Sequence, residues 1–402
     1  MNEYVVILGA SRYGVEAAFK CGFKTVVVTD RNSSISTEIS KIAEAVFYVQ
    51  DIEDKDHVLL TVKKIINLYG DVELVLSFTE LGLETAAYIS EKLNLKTNSL
   101  ETVVKTRNKG LMRQVLQTDP ELRLDVISGK VSSFPRKFPY LRPAIIKPLD
   151  GFGSKGVCYI SNQNDWEQWL EANQDSSNEW ILEPYINGPE YSVETVSSNG
   201  NHLILGITEK QTTGKPNFIE IGHIVPTQLE NDKVEQIEQL TIKALNLLNI
   251  QYGPGHIEIK WDLEENKPVI IEIHTRPGGD FIPYLHQLSS DLNQYELGIL
   301  SYFDEKSINV KPIYKRASLV KFLTFPEGIL QQVSIEKEIN KDYIKDWAVY
   351  YKLGDYIRKT TDSYTRSGHV IVSSSTVEES KRLCDNFINN LKYKIIKNKE
   401  SM

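Results

Sequence analysis

Cysteine is scarce in this sequence. Cys21, Cys158 and Cys384 are widely separated and no C-x-x-C pair occurs. That excludes a disulfide framework and a zinc-ligand spacing, and it fits a reducing, cytoplasmic compartment. Long apolar runs are missing too. No stretch approaches the ~20 apolar residues of a membrane-spanning helix, so no membrane partner is expected. The run from Tyr4 to Leu8 is too short for the apolar core of a secretory signal. Positive charge is not in excess: 46 basic against 54 acidic residues give a formal net charge of −8. An acidic total argues against a nucleic-acid partner. Internal repeats and low-complexity tracts are absent. What is present, over 402 residues of which 25% are charged, is an ordinary globular composition with room for about two or three domains.

Tyr4 to Leu8 reads as a buried parallel strand. The turn Gly9-Ala10-Ser11-Arg12-Tyr13-Gly14 follows, then a helix from about Val15 and a strand over Thr25 to Asp30. This is the start of a βαβ pattern. The turn lacks the central glycine of the dinucleotide fingerprint. It reads instead as a structural turn, or as a pocket for another ligand at the strand ends. Strands over Val46 to Val49 and Val72 to Ser77, and a helix over Leu81 to Leu93, continue an open, mostly parallel domain ending near Thr97. Glu80 follows a strand's carboxyl end, where ligands bind in such sheets. An acid at a helix N-terminus explains it equally well.

Further on, strand Ala144 to Pro148 ends with Lys147. The loop Gly151-Phe152-Gly153-Ser154-Lys155-Gly156 and another strand come next. Such a loop offers backbone N–H groups to phosphate without side-chain obstruction. No helix follows it, so it is not a Walker A loop. The Asn199-Gly200 turn predicts a hairpin between Tyr191–Val196 and Leu203–Thr208. Gln211 to Pro216 reads as polar and mobile. A helix over Ser380 to Tyr393 is expected to run into a frayed, lysine-rich end.

Residues 255–276 alternate with period two. Ile257, Ile259 and Trp261 share one face, and His256, Glu258 and Lys260 the other. In the second run Val269, Ile271 and Ile273 oppose Glu272, His274 and Arg276. A hairpin centred near Glu265 places Glu258 across from Glu272. Like charges so placed repel. Either a hard divalent cation lies between them, or the face is simply solvated.

The order of these pieces resembles the ATP-grasp superfamily across nearly the whole chain. Lys109 precedes Lys147. The glycine loop, the hinge Glu183 to Ile186, Glu190 after Asn-Gly-Pro, and the two carboxylates follow. The resemblance implies a mixed α/β and α+β architecture. Its parts are a Rossmann-like open sheet (1–98), an ATP-grasp module (99–306) whose mobile lobe (119–186) closes on ATP, and a β-rich C-terminal cap (307–402). It implies ATP and Mg²⁺ as cofactors, with two ions and Mn²⁺ as an alternative. Lys109 and Lys147 are implied on the ATP phosphates, with Gly151, Gly153, Ser154 and Gly156 above them. Glu183 and Ile186 are implied at adenine, and Glu190 at ribose. Glu258 and Glu272 are implied as metal ligands, and Arg276 on the transferring phosphoryl group. His274 stands where the superfamily has asparagine; imidazole is a softer ligand than a carbonyl oxygen.

Within the superfamily, Arg276-Pro277-Gly278-Gly279-Asp280 and Glu220-x-x-His223 look most like the L-amino-acid ligases. That resemblance implies joining of two free L-amino acids into a dipeptide by a homodimeric enzyme. It places Glu220, His223, Gly279, Arg276 and Glu80 near the substrates. Asp280 is implied in the side-chain pocket of the first amino acid, where a carboxylate favours a cationic chain such as arginine. As a residue read alone, Asp280 is equally a helix N-cap. The rivals are another ATP-grasp carboxylate–amine ligase of nucleotide biosynthesis, a silent ATP- or amino-acid-binding regulator, and a biotin-dependent carboxylase component.

Overall fold

The computed structural model describes residues 3–151, 153, 155–215, 217–336, 340 and 342–397. The chain opens with a parallel four-stranded sheet in the order Ala45–Val49, Lys24–Asp30, Tyr4–Leu8, Val72–Ser77. Its strands are unbroken apolar runs because helices cover both faces. Val5, Ile7 and Val27 pack against Val15, Ala18 and Ile39 on one side. Val6, Leu8, Val26 and Val28 meet Val58, Val62, Ile65 and Ile89 on the other. The glycine turn has a packing origin. Ser11 caps helix Arg12–Lys20 through the Gly14 N–H, and a Cβ on Gly14 would lie 2.2 Å from the Phe78 ring.

The largest sheet has eight strands, in the order Lys267–His274, Gly253–Asp262, Glu190–Ser198, Asn201–Thr212, Glu220–Val225, Ala317–Leu323, Gly368–Ser374, Ile344–Val349. Its first half buries Val193, Ile257, Ile259 and Trp261 against Ile237, Leu240, Ala244 and Leu245 of helix Asn231–Leu247. The last three strands lie beyond residue 307 and hydrogen-bond directly into the same sheet. The C-terminal part is therefore continuous with the centre of the molecule.

The hairpin departs from strict alternation at one residue. Glu258 pairs with Glu272, but Ile259 pairs with Ile270, so Ile271 is an extra residue on its strand. Such a bulge re-aims side chains. Ile270 rather than Ile271 joins Ile273 in the core, and Ile271 turns to pack beside Leu124, Ile186 and Val269.

A smaller antiparallel sheet carries Lys147, in the order Ile127–Lys130, Glu179–Pro184, Ala144–Pro148, Cys158–Ile160. Helix Gln163–Asn173 seals it with Trp166 and Trp169, whose rings stack 5.4 Å apart, and Trp169 meets Trp180 edge-on at 5.1 Å. The C-terminal helix ends at Asn390, earlier than expected. Leu391–Ile396 is not frayed. It pairs with Gly328–Ile335, burying Leu391 beside Leu330. Among the described residues no helix is long and apolar enough to cross a membrane.

Ile257 is fully buried in the central core. Ile257→Ala is expected to cost ~2–5 kcal/mol by lost transfer energy plus a cavity. A urea titration checks this, and an unchanged midpoint contradicts the packing.

Candidate active site

A cleft between the smaller antiparallel sheet and the eight-stranded sheet is lined by Lys109, Lys147, Glu190, Lys210, Glu258 and Glu272, among others. Lys109 opens helix Lys109–Leu116, capped by the Asn108 side chain. Its Nζ donates to the Gly151 carbonyl at 2.5 Å and lies 3.5 Å from Glu272. Lys147 lies 3.3 Å from the other oxygen of Glu272 and 3.1 Å from Glu183. The two lysines thus converge on one carboxylate.

Glu183 does not present its carboxylate to the cleft. One oxygen accepts from Arg113 Nε at 2.7 Å and the other faces Lys147, all three side chains being buried. Burial raises the Glu183 carboxyl, but Arg113 and Lys147 outweigh it and keep the group ionised. Its side chain anchors Lys147. Arg113 was not singled out from sequence, although a buried acid demands such a partner.

Glu258 and Glu272 face each other in register. Burial pushes both carboxyls up, yet both are held well below the usual range. Lys210 does this for Glu258, and Lys109 with Lys147 for Glu272. Lys210 was also missed, because it sits inside a strand expected to end at Thr208. Its ammonium, almost fully buried, lies 2.7 Å from Glu220, 2.9 Å from Glu190 and 3.1 Å from Glu258. His274 sits between Glu272 and Glu80, at 3.4 and 3.6 Å. Beside it, His256 pairs with buried Glu194 at 2.8 Å and approaches Glu258 at 3.4 Å. Burial lowers the His256 imidazolium, but Glu194 lifts it to about 9. Two ionised carboxylates on neighbouring strands, with lysines supplying counter-charge, suit a hard divalent cation that also touches phosphate.

Ile186, Glu190, Gly151, Gly153 and Gly279 line the cleft as well. Gly153 and Gly156 have φ of +67° and +77°, a region that favours glycine. Ser154 lies outside the described residues. Ile271, turned outward by the bulge, adds an apolar wall near Ile186.

The substrate-side residues are paired more tightly than expected. Arg276 Nε donates to Glu80 at 2.5 Å, and Arg107 reaches the other oxygen of Glu80 at 3.2 Å. Glu80 therefore ties the first domain to the cleft. Asp280 is neither an open carboxylate nor a helix cap. Arg366 holds it in a bidentate fork at 2.6 and 2.7 Å. The next helix, Ile282–Ser290, begins from Phe281 without a side-chain cap. His223 is buried 3.5 Å from Glu220 and 3.6 Å from Asp280. Neither ring nitrogen finds a hydrogen-bond partner among the described residues. Burial lowers the His223 imidazolium, but Asp280 and Glu220 raise it above the ordinary value. Burial works against ionisation of Glu220 as well, yet Lys210 brings its carboxyl down to about 2.

Residues 140–283 match the family model described as ATP-grasp domain, and residues 321–395 match L-amino acid ligase C-terminal domain 2. The fold is the ATP-grasp fold. An L-amino acid ligase from Bacillus licheniformis superposes with a TM-score of 0.85 at 20% identity, covering 98% of this chain and 99% of that one. A phosphoribosylglycinamide synthetase from Anaerococcus prevotii gives 0.77 at 20% identity, covering 98% and 100%. The uncharacterized protein y4rH of Sinorhizobium fredii is 26% identical over 313 residues, or 75% of this chain; the chain spans 64% of that relative's length.

Two outcomes follow from the buried charges. Arg113→Ala leaves Glu183 with a single partner and is expected to cost ~3–5 kcal/mol. Glu183→Gln in the same chain should return part of that loss, and a urea titration of both variants checks it. Buried His286 is the second case. Burial lowers its imidazolium to about 4, below the ~6.5 of an unfolded histidine. Its contribution to stability is full above pH 6.5 and lost as pH falls toward 4. His286→Gln should flatten the fall of unfolding free energy over that window, measured by denaturant titration at several pH values; an unchanged slope contradicts this.

Proposed function

We propose that this ATP-grasp chain is an ATP-dependent carboxylate–amine ligase that joins two free L-amino acids into a dipeptide. The observation that carries the reading is the in-register pair Glu258 and Glu272 facing Lys109, Lys147 and Lys210 across one cleft. The match of residues 321–395 directs it toward amino-acid substrates.

In this reading the carboxylate of the first amino acid attacks the γ-phosphorus of ATP, giving an acyl phosphate and ADP. The amine of the second amino acid then attacks the acyl carbon and expels phosphate. Glu258 and Glu272, with His274 alongside, would hold Mg²⁺, which would supply charge neutralisation at the phosphates. Lys109 and Lys147 offset charge on the transferring group. Lys210 keeps Glu258 ionised and holds both Glu258 and Glu190 in place. The glycine loop, under the Tyr364 ring at Gly153, excludes water that would hydrolyse the anhydride. Ile186 and Ile271 form the apolar side of the nucleotide site, and Glu190 its ribose end.

Arg276 begins paired with Glu80, so it reaches a phosphoryl or carboxyl oxygen only by sharing or leaving that acid. His223 sits between two carboxylates that raise its imidazolium above the ordinary value, an arrangement suited to orienting a substrate group. Glu220 is the ionised acid nearest that position. A cationic first side chain, expected from Asp280, requires Arg366 to release the carboxylate. In this reading residues 1–98 supply Glu80, residues 99–306 form the nucleotide module with 119–186 as its lid, and residues 307–402 carry Arg366.

Glu272→Gln is expected to lower ADP formation by roughly 10²-fold or more, as loss of a transition-state charge partner does. ADP release at the original rate would remove the metal assignment. Phosphate release across pairs of free amino acids, with mass analysis of products, should reveal a dipeptide. Turnover only with a ribotide amine would place the chain among the nucleotide-biosynthetic ligases.

A further inference from the structure

The Asp280–Arg366 pair stands between two spaces. One is the cleft containing Glu258 and Glu272. The other is a compartment of about 370 Å³ walled by Tyr13, Phe281, Tyr284, Tyr295, Phe322 and Tyr350. Gly279, Asp280 and Arg366 line both. A molecule reacting at the cleft and passing over Gly279 would extend into these aromatic walls.

Asp280 and Arg366 are the charged groups of the compartment's lining, and they cancel. The guanidinium of Arg366 is fixed on every side. Its Nε donates to the Ser363 carbonyl at 2.6 Å, and its Nη1 lies 3.3 Å from the Glu220 carbonyl. Both outer nitrogens donate to Asp280. Its carbon sits 3.6 Å from the Phe322 ring centroid. A planar fork held by a carboxylate, a carbonyl and an aromatic face is strongly preorganised. An arriving cation therefore meets a carboxylate whose two oxygens are taken, and a second cation at its entrance. Burying an unpaired charge there is costly. A neutral ring meets walls suited to stacked and edge-to-face contacts.

We propose that Arg366 is a specificity-determining residue: by closing Asp280 it makes the aromatic compartment a site for a neutral, aromatic amino-acid side chain. This rests on the reading that the chain binds free amino acids, and it fixes which class one of them belongs to. Removing the guanidinium should reopen the carboxylate to cationic side chains.

Calorimetric titration of the full chain, loaded with ADP and Mg²⁺, with phenylalanine or arginine tests this without turnover. Wild type should bind phenylalanine at least about tenfold more tightly than arginine. Arg366→Met, which keeps an apolar stem on Phe322, should bind arginine at least about tenfold more tightly than wild type does. Asp280→Ala added to Arg366→Met should abolish that increase. Equal binding, tighter binding of arginine, or no binding of either by wild type overturns the proposal, even if Arg366→Met does not fold. So does a folded Arg366→Met with no increase for arginine. Phenylalanine binding without ADP formation in any amino-acid mixture would sink the ligase reading alone. ADP formation with a preference for arginine would sink this inference alone.

Discussion

An ammonium group shared by three carboxylates sits at the middle of this structure. Lys210 reaches Glu190, Glu220 and Glu258 at once, each from a different strand of one sheet. Acids so close together would repel one another and shift toward their neutral forms. The buried lysine opposes that tendency and holds the Glu220 and Glu258 carboxyls below their usual range. Lys109 and Lys147 repeat the arrangement at Glu272. The cleft is thus a lattice of alternating charges whose members are costly to bury singly and stable only together. Everything asked of a nucleotide site depends on those carboxylates remaining charged when water leaves.

Two of the supports come from outside the central sheet. Glu80, from the end of a strand in the first domain, holds Arg276. Arg366, from the C-terminal part, holds Asp280. Distant segments therefore set the orientation of neighbouring residues in one short stretch, 276–280. The eight-stranded sheet makes this possible, because strands beyond residue 317 hydrogen-bond to the same framework as the Glu258–Glu272 hairpin.

Much of this was legible in the sequence, for physical reasons that can be named. The parallel strands were readable because burial on two faces leaves uninterrupted apolar runs. The facing of Glu258 and Glu272 was readable because hairpin register follows from the turn. The bulge at Ile271 was not, since one extra residue leaves the local pattern of apolar residues almost unchanged. Leu391 to Tyr393 was read as the end of a helix and the lysine-rich stretch after it as frayed; the apolar residues of Leu391–Ile396 read as a strand only once Gly328–Ile335 is alongside. Arg113, Lys210 and Arg366 were missed for a shared reason. Each is a cation defined by a carboxylate far away in sequence, and single-chain reading carries no signal for such pairing. Asp280 was read as a carboxylate for a substrate's cationic side chain; here it pairs with the guanidinium of Arg366, which the sequence did not signal.

The turn bearing Arg366 is short, with Asp362 capping Tyr364 and Thr365. It is separate in sequence from Lys109, Lys147, Glu258 and Glu272, the groups proposed to face phosphate. On the proposed reading, side-chain choice and phosphoryl chemistry are written in different places along the gene. On that reading, a lineage could change its substrates by editing a few codons around Arg366 and leave the carboxylate-activating residues untouched.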